Sequence, residues 1–168
     1  MNKYLLDANV FIQAKNLHYG LDFCPAFWNW LIEKNDSGSV ASIEKISDEI
    51  QSGADELWDW AKQRGEGFFL PADNPVVPAL QTVSTWVTSQ QYEPAAVSTF
   101  LQVADYWLVA HALAHSYTIV THEVPADSVR KIKIPNVCVG LKIKCINPYE
   151  MLRRERAKFI LGATKEVA

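Results

Sequence analysis

Residues 100–114 are apolar on almost every face of a helical projection, and this segment constrains the fold more than any other. A helix without a polar face must lie inside a protein rather than on its surface. Residues 117–121, Tyr-Thr-Ile-Val-Thr, follow directly and have the composition of a strand. We therefore expect a buried helix over about residues 99–115 that leads into a strand of a layered core.

Strand-like segments alternate with helical segments along the chain. Strands are predicted over residues 4–7, 38–42 and 117–121, more weakly over 68–70, with one or two more over 134–145. Helices are predicted from Pro25 to about Asn35, after Ser42, from Pro75, over 99–115, and from Pro148 to about residue 162. Ser42 can cap the helix that follows it, and Gly53 is a possible break in that helix. This alternation indicates an α/β fold around a mainly parallel sheet, as a single domain over residues 1–168.

The composition also argues against several classes of protein. No apolar segment reaches membrane-spanning length without a polar break, and the first residues lack a basic-then-apolar signal, so we expect a cytoplasmic protein that does not enter a membrane. Cys24, Cys138 and Cys145 do not have the spacing of a zinc site. We expect them to be reduced and unreactive.

The charge is distributed unevenly between the body of the chain and its last part. Residues 1–128 carry 6 Lys and Arg against 16 Asp and Glu, whereas residues 129–158 carry 9 against 2. An acidic body with a basic end fits an acidic metal site beside a surface that binds phosphates. The candidate RNA-binding residues are Arg130, Lys131, Lys133, Lys142 and Lys144. Alternatively, the charges at 153–158 belong to an ordinary solvated helix.

Two acids stand where an explanation is needed. Asp105 interrupts the apolar run, and burying a lone carboxylate costs several kcal/mol unless it is paired, hydrogen-bonded or bound to a metal. Asp7 ends the first predicted strand and is followed two residues later by Asn9. Asp7 is either a metal ligand supported by Asn9, or the cap of a helix that begins near Asn9.

The pattern offers further candidate acids in the helix after Ser42 and after the strand that ends at Thr121. In the helix after Ser42, Glu44 and Glu49 fall on opposite margins of the apolar stripe, whereas Asp48 points away from it. Periodicity does not choose between Glu44 and Glu49. Glu123 follows the strand that ends at Thr121, whose hydroxyl can bind a neighbouring carboxylate; Asp127 is a weaker candidate for the same role.

Several carboxylates in one pocket indicate a bound cation. Two like charges about 4 Å apart repel by on the order of 4 kcal/mol at an effective dielectric constant of 20. Mg²⁺ or Mn²⁺ removes this repulsion, because hard cations prefer carboxylate and water oxygens. Such an ion can activate water and stabilise the charge of a phosphodiester, which predicts metal-dependent phosphodiester hydrolysis.

The order of these motifs resembles the PIN domain, and in particular the VapC-type toxin ribonucleases of bacterial toxin–antitoxin pairs. The resemblance rests on residues 5–9 (Leu-Leu-Asp-Ala-Asn), on Ala104-Asp105, and on residues 119–123 (Ile-Val-Thr-His-Glu). Residues 25–28, 47–50, 55–60 and 134–138 are similar to a PIN-like subgroup of otherwise unknown function. The resemblance implies a three-layer α/β/α sandwich, metal-dependent RNA cleavage, an antitoxin partner and a possible homodimer.

The resemblance also assigns residues by position. Asp7 and Asp105 match the first and third acids of the family, and Glu49 matches the second because an apolar residue follows it. Glu123 stands at the fourth position, where an Asp is more common; its longer side chain implies coordination through water or weaker binding. Asn9 and Thr121 match supporting polar positions.

Several histidines and aromatic residues have no catalytic role in this assignment. We expect His111, Trp28, Trp58 and Trp107 to be core residues, while His18 and Tyr19 lie in a loop that can line a substrate groove. The leading function is a Mg²⁺- or Mn²⁺-dependent endoribonuclease acting as a toxin. The alternative is a catalytically weak PIN-like module that binds protein or RNA. A phosphatase using Asp7 is less favoured, because Asn9 stands where such enzymes place a second Asp.

Overall fold

Five parallel strands form the centre of the protein in this computed structural model, which describes residues 1–162. They are β1 (Tyr4–Leu6), β2 (Val40–Ile43), β3 (Phe69–Leu70), β4 (Thr118–Val120) and β5 (Cys145–Ile146). Their order across the sheet is β3-β2-β1-β4-β5, and every pairing is parallel. The predicted α/β architecture with a parallel sheet is confirmed.

β1 is the central strand, and its residues are apolar on both faces. Leu5 pairs with Ala41 of β2 on one side and with Ile119 of β4 on the other, and all three are buried. A strand that is covered on both faces is expected to be apolar throughout rather than alternating. The short segment at residues 4–6 is therefore the innermost part of the sheet.

Helices connect the strands. They are α1 (Ala8–Gln13, continued by a π-helical turn over Ala14–His18), α2 (Pro25–Asp36), α3 (Glu44–Gln51), α4 (Glu56–Lys62), α5 (Val76–Ser89), α6 (Pro94–Phe100), α7 (Ala104–His115), α8 (Ile134–Leu141) and α9 (Pro148–Arg154). The chain moves from β1 to β2 and β3 in one direction, and from β3 to β4 and β5 in the other. Because crossovers between parallel strands are right-handed, this reversal places helices on both faces of the sheet and completes the three-layer sandwich.

The apolar run at residues 100–114 is not one helix. α6 ends at Phe100, the chain turns, and α7 begins at Ala104 after the extended residue Val103. Asp105 is thus the second residue of α7 and is only half-buried. The prediction of a carboxylate in the interior of a buried helix is wrong, because an apolar pattern does not reveal a turn. A carboxylate in the first helical turn is instead favoured by the helix dipole.

Residues 134–145 are not one or two strands. They form α8, with Pro135 in its first turn, followed by the two-residue strand β5. The β-branched composition suggested strands, but α8 packs against α5 and α7, and tertiary packing overrides such propensity. Gly140 allows this packing, since a Cβ there would lie 2.0 Å from the indole of Trp86.

Three smaller predictions about local structure are also corrected. Ser42 does not cap α3; its hydroxyl donates to the carbonyl oxygen of Leu6 at 2.7 Å. Helix α9 ends at Arg154 rather than near residue 162, and residues 163–168 of the predicted domain lie outside the described residues. The predicted break at Gly53 is confirmed, because α3 ends at Gln51 and α4 begins at Glu56.

Aromatic residues fill much of the core. Trp28 and His111 are buried as predicted, whereas Trp58 and Trp107 are only half-buried, and Trp60 is the buried tryptophan of α4. Within residues 1–162, no helix is long and apolar enough to cross a membrane.

Candidate active site

The chain adds β2 and β3 on one side of β1, and β4 and β5 on the other, so the strand order reverses between β1 and β4. This point determines where a ligand can bind. Ligands of open parallel sheets bind at the carboxyl ends of the strands where the strand order reverses. Asp7 directly follows β1 and Thr121 directly follows β4. The backbone N–H of Asp7 donates to the carbonyl oxygen of Val120 at 3.0 Å, which holds the two strand ends together.

Asp7 is a buried carboxylate with 4% of its surface exposed. Its Oδ1 accepts from the N–H of Ala8 at 2.7 Å, and its Oδ2 accepts from the hydroxyl of Thr121 at 2.8 Å. Burial, and then the negative charge of Asp105, raise the pKa of Asp7 to about 7, although both hydrogen bonds oppose the rise. Asp7 therefore caps α1 and also lies at the candidate site, so the two alternatives are compatible.

Thr121 connects Asp7 to its neighbours. Its hydroxyl oxygen accepts from Asn9 Nδ2 at 3.1 Å and from the backbone N–H of Glu123 at 3.1 Å. Asn9 Oδ1 in turn accepts from the backbone N–H of His122 at 3.1 Å. Asn9 and Thr121 thus fix the loop after β4 against the start of α1; Thr121 contacts Asp7 directly, whereas Asn9 is connected to Asp7 only through Thr121.

A cleft of about 810 Å³ opens beside these strand ends, and the other predicted acids line it. Glu49 reaches it from α3, Asp105 from α7 and Glu123 from the loop after β4. Burial, followed by the charges of Glu123 and Glu49, raises the pKa of Asp105 to about 6. Burial also raises the pKa of Glu49, although this side chain is the more exposed. The structure thus places Glu49 rather than Glu44 in the acidic cleft.

Glu123 has a second contact that the sequence did not predict. Its Oε2 accepts from the backbone N–H of Ile134 at 2.8 Å, in the first turn of α8. This contact satisfies a helix N-terminal donor and leaves one carboxylate oxygen for another partner. Asp127, the weaker candidate, is exposed further along the loop.

The donors at this site are carboxylates, which suit a hard divalent cation such as Mg²⁺ or Mn²⁺. Within residues 1–162, no three His, Cys, Asp or Glu side chains are arranged so that they could hold one ion as they stand. The acids nevertheless affect one another electrostatically, since Asp105 and Glu123 raise the pKa of Asp7, and Glu123 and Glu49 raise that of Asp105. Their mutual repulsion and partial burial are the conditions that a bound cation would relieve.

The predicted basic residues divide between two edges of the sheet. Arg130 and Lys131 line the cleft, and Lys131 and Lys133 are near enough to Asp105 to oppose the rise of its pKa. Lys142 and Lys144 instead lie between the end of α8 and the start of β5, at the amino edge of the sheet, away from the acids. The prediction of one or two strands over residues 134–145 did not reveal this separation.

The sequence matches a family model described as Domain of unknown function (DUF4411) over residues 4–159. The chain belongs to this family. In fold, this chain is similar to the crystal structure of FitAcB from Neisseria gonorrhoeae, with a TM-score of 0.51 and 19% sequence identity over 87% of this chain and 98% of that chain, in agreement with the expected PIN-like three-layer sandwich. None of the curated proteins matches the sequence.

Two residues of this DUF4411 cleft were missed by the sequence reasoning. Lys45 lines the cleft, and its Nζ lies 5.0 Å from the centre of the Trp107 ring, which lines the cleft as well. Lys45 stands four residues before Glu49, so the two share one face of α3. That spacing would have indicated Lys45 once Glu49 was assigned. Trp107 was assigned to the core because its apolar neighbours concealed the turn before α7.

Proposed function

We propose that this protein is an endoribonuclease that depends on Mg²⁺ or Mn²⁺ and serves as the toxin of a toxin–antitoxin pair. The observation that carries the proposal is the approach of Asp7, Asp105, Glu49 and Glu123, from four separate segments, at the carboxyl edge of the sheet. The motif resemblance to VapC-type toxins and the PIN-like fold support the reaction class. The antitoxin and the homodimer are proposed on the same resemblance.

In this proposal, each acid has a stated task. Asp7 and Asp105 would hold the ion, and Glu49 from α3 and the second carboxylate oxygen of Glu123 would be further oxygen donors. A bound divalent cation supplies Lewis-acid stabilisation of phosphate charge and a nucleophilic water near neutral pH. Thr121 fixes the orientation of Asp7 through its 2.8 Å hydrogen bond, so the ligand is positioned before substrate arrives.

The basic residues of the cleft would hold the RNA. Lys131 and Arg130 line the cleft, and Lys133 lies near Asp105, so phosphates passing the acids meet positive charge on one side. Single-stranded nucleic acid is held mainly by such backbone contacts, and the affinity falls as salt is added. Residues 1–128 carry an excess of acidic side chains, which disfavours RNA binding on the surface that they form away from the cleft.

Cleavage of labelled RNA by the purified protein tests the proposal. We expect cutting with Mn²⁺ or Mg²⁺, none with EDTA, and none by Asp7→Asn or Asp105→Asn. Asp48→Asn is the matched control, because Asp48 is an exposed acid on the same helix as Glu49. Cutting that persists in EDTA or in both site variants would overturn the proposal.

The second candidate function is a PIN-like module that binds protein or RNA without efficient catalysis. The contact of Glu123 with Ile134 favours it, because the fourth acid is then partly committed to holding α8. Under this alternative, Mn²⁺ titrated into the protein shows no binding that depends on Asp7 and Asp105. Carboxylate-dependent binding of Mn²⁺ would exclude it.

A further inference from the structure

Two histidines and a tyrosine meet beside the candidate active site, outside the residues that line the cleft. His18 is the last residue of the π-helical turn, His122 follows β4, and Tyr149 lies in the first turn of α9. The three ring centres are 5.6 to 5.8 Å apart, and the Tyr149 hydroxyl lies 2.9 Å from His18 Nε2. We call these three residues the His–Tyr cluster.

The His–Tyr cluster is coupled to the acids through the backbone of its middle residue. The N–H of His122 donates to Asn9 Oδ1, and Asn9 Nδ2 donates to Thr121, which holds Asp7. His122 also lies between Thr121 and Glu123 in the chain. The cluster therefore lies next to Asp7 and to the loop that carries Glu123.

The surroundings of the cluster fit a nucleotide better than they fit a buried core. His18 is exposed, while His122 and Tyr149 are half-buried, so ring edges and faces remain accessible. Tyr19 packs behind His18 and stacks on Phe27 with ring centres 4.5 Å apart, which gives the cluster a rigid base. The π-helical turn that presents His18 is an uncommon element found often at functional sites.

A cation completes this surface. Arg153 is exposed and stands four residues after Tyr149, so the two side chains share one face of α9. Its charge also reaches the cluster's base: burial raises the pKa of Tyr19, and Arg153 opposes that rise. Aromatic rings with a neighbouring cation are the combination by which proteins bind single-stranded nucleic acids.

We propose that His18, His122 and Tyr149 form a subsite that stacks a nucleobase of single-stranded RNA, with Arg153 placed for the adjoining phosphate. The nature of the ligand rests on the proposed function. The subsite would hold the nucleotide beside Asp7, outside the residues that line the cleft. Stacking on such a platform strengthens binding by roughly tenfold per base.

The test measures binding by the full chain carrying Asp105→Asn, in EDTA, so that no cleavage occurs. Fluorescence anisotropy with labelled single-stranded RNA compares Tyr149→Phe with Tyr149→Leu on that background. A stacking subsite predicts that Phe keeps the affinity within about twofold, whereas Leu weakens it by about tenfold. If Tyr149→Phe weakened RNA binding as much as Tyr149→Leu, the proposal would be overturned, because the loss would then come from the hydroxyl contact with His18 and not from the aromatic ring.

Two further variants keep the test informative. His18→Ala should weaken binding by several-fold without affecting the fold, because His18 is exposed. Tyr117→Leu is the matched control: it is another half-buried tyrosine, but it precedes β4 at the opposite edge of the sheet, and binding should not change. Equal losses for His18→Ala and Tyr117→Leu, or none for His18→Ala and Tyr149→Leu, would contradict the subsite.

The same assay separates this inference from the proposed function. Binding in EDTA does not require catalysis, so an intact subsite can be detected even if Mn²⁺-dependent cleavage fails. Conversely, cleavage that is lost with Asp7→Asn but unchanged with Tyr149→Leu would uphold the nuclease and remove the subsite. Duplex RNA should not show the Tyr149→Leu effect, since its bases are already stacked; an equal effect on duplex RNA would contradict base stacking.

Discussion

Replacing Asp7 with Asn should stabilise the metal-free protein at neutral and alkaline pH while it abolishes cleavage. Burial, and then Asp105, raise the pKa of Asp7 from 3.8 to about 7 in the folded protein. Below about pH 4, the carboxyl group is protonated in both the folded and the unfolded chain. Between about pH 4 and pH 7, only the folded protein keeps the proton, so the free energy of unfolding falls as pH rises, and above pH 7 it levels off.

The magnitude follows from the size of this rise. Since tenfold in an equilibrium constant is about 1.4 kcal/mol, the ionised Asp7 destabilises the folded protein by roughly 4 kcal/mol at pH 8. With only 4% of Asp7 exposed, little of this is screened by solvent. Asn cannot accept both hydrogen bonds that Asp7 accepts, which costs about 1–2 kcal/mol. The variant should therefore be about 2–3 kcal/mol more stable at pH 8 and close to the wild type at pH 5.

Urea unfolding followed by tryptophan fluorescence in EDTA measures this difference at the two pH values. Asp48→Asn removes an exposed acid and should change the free energy of unfolding by no more than about 0.5 kcal/mol at either pH. An Asp7→Asn protein that is less stable than the wild type at pH 8 would refute the reasoning. So would a difference of the same size at pH 5 and pH 8.

Three further predictions concern the contacts around Asp7 and the cleft. Thr121→Val removes the hydroxyl that binds Asp7, so it should lower the free energy of unfolding by about 1–3 kcal/mol and abolish most of the cleavage. Thr121→Ser keeps a hydroxyl and should retain cleavage. Equal cleavage by the two variants would contradict this role of the hydroxyl. Glu123→Ala should lower the free energy of unfolding by about 1 kcal/mol, because it removes the acceptor that binds the N–H of Ile134 in α8. Glu123→Gln keeps an acceptor oxygen and should lose less. Thermal unfolding in EDTA compares the two variants, and equal losses would show that the contact is unimportant. Lys131→Ala should weaken RNA binding and reduce the salt dependence of the affinity, because Lys131 lines the cleft. Lys142→Ala, at the opposite edge of the sheet, should change neither. Fluorescence anisotropy at several salt concentrations measures both variants, and an equal effect of the two would contradict the assigned surface.

Much of the sheet and part of the site could be predicted from the sequence. The runs at residues 4–6 and 118–120 are apolar, β-branched or aromatic, and parallel strands place whatever follows them at one edge. Such strands place Asp7 and Thr121 side by side, and the Thr121 hydroxyl binds a carboxylate as expected from the sequence. Glu49 could not be separated from Glu44 by helical periodicity, because both border the apolar stripe, and only the family resemblance distinguished them.

The remaining features depend on contacts between distant segments. The turn before Asp105 lies within an apolar stretch that has no Gly or Pro to mark it. The hydrogen bond from the N–H of Ile134 to Glu123 joins the loop after β4 to the start of α8. The residues next to Glu123 and Ile134 in the sequence do not indicate this contact. Lys142 and Lys144 lie at the far edge because residues 134–141 form a helix, α8. The β-branched residues of this segment favour a strand, and only packing on α5 and α7 makes it helical.

Calorimetric titration of Mn²⁺ into the purified protein tests the central claim most directly. The account predicts binding to the wild type near pH 8 that is lost in Asp7→Asn and in Asp105→Asn, is retained in Asp48→Asn, and weakens toward pH 6. The pH dependence is expected because the pKa of Asp7 is raised to about 7 and that of Asp105 to about 6, so protons compete with the ion in that range. Binding of equal strength in all four proteins, or no binding to the wild type, would contradict a metal site formed by these carboxylates.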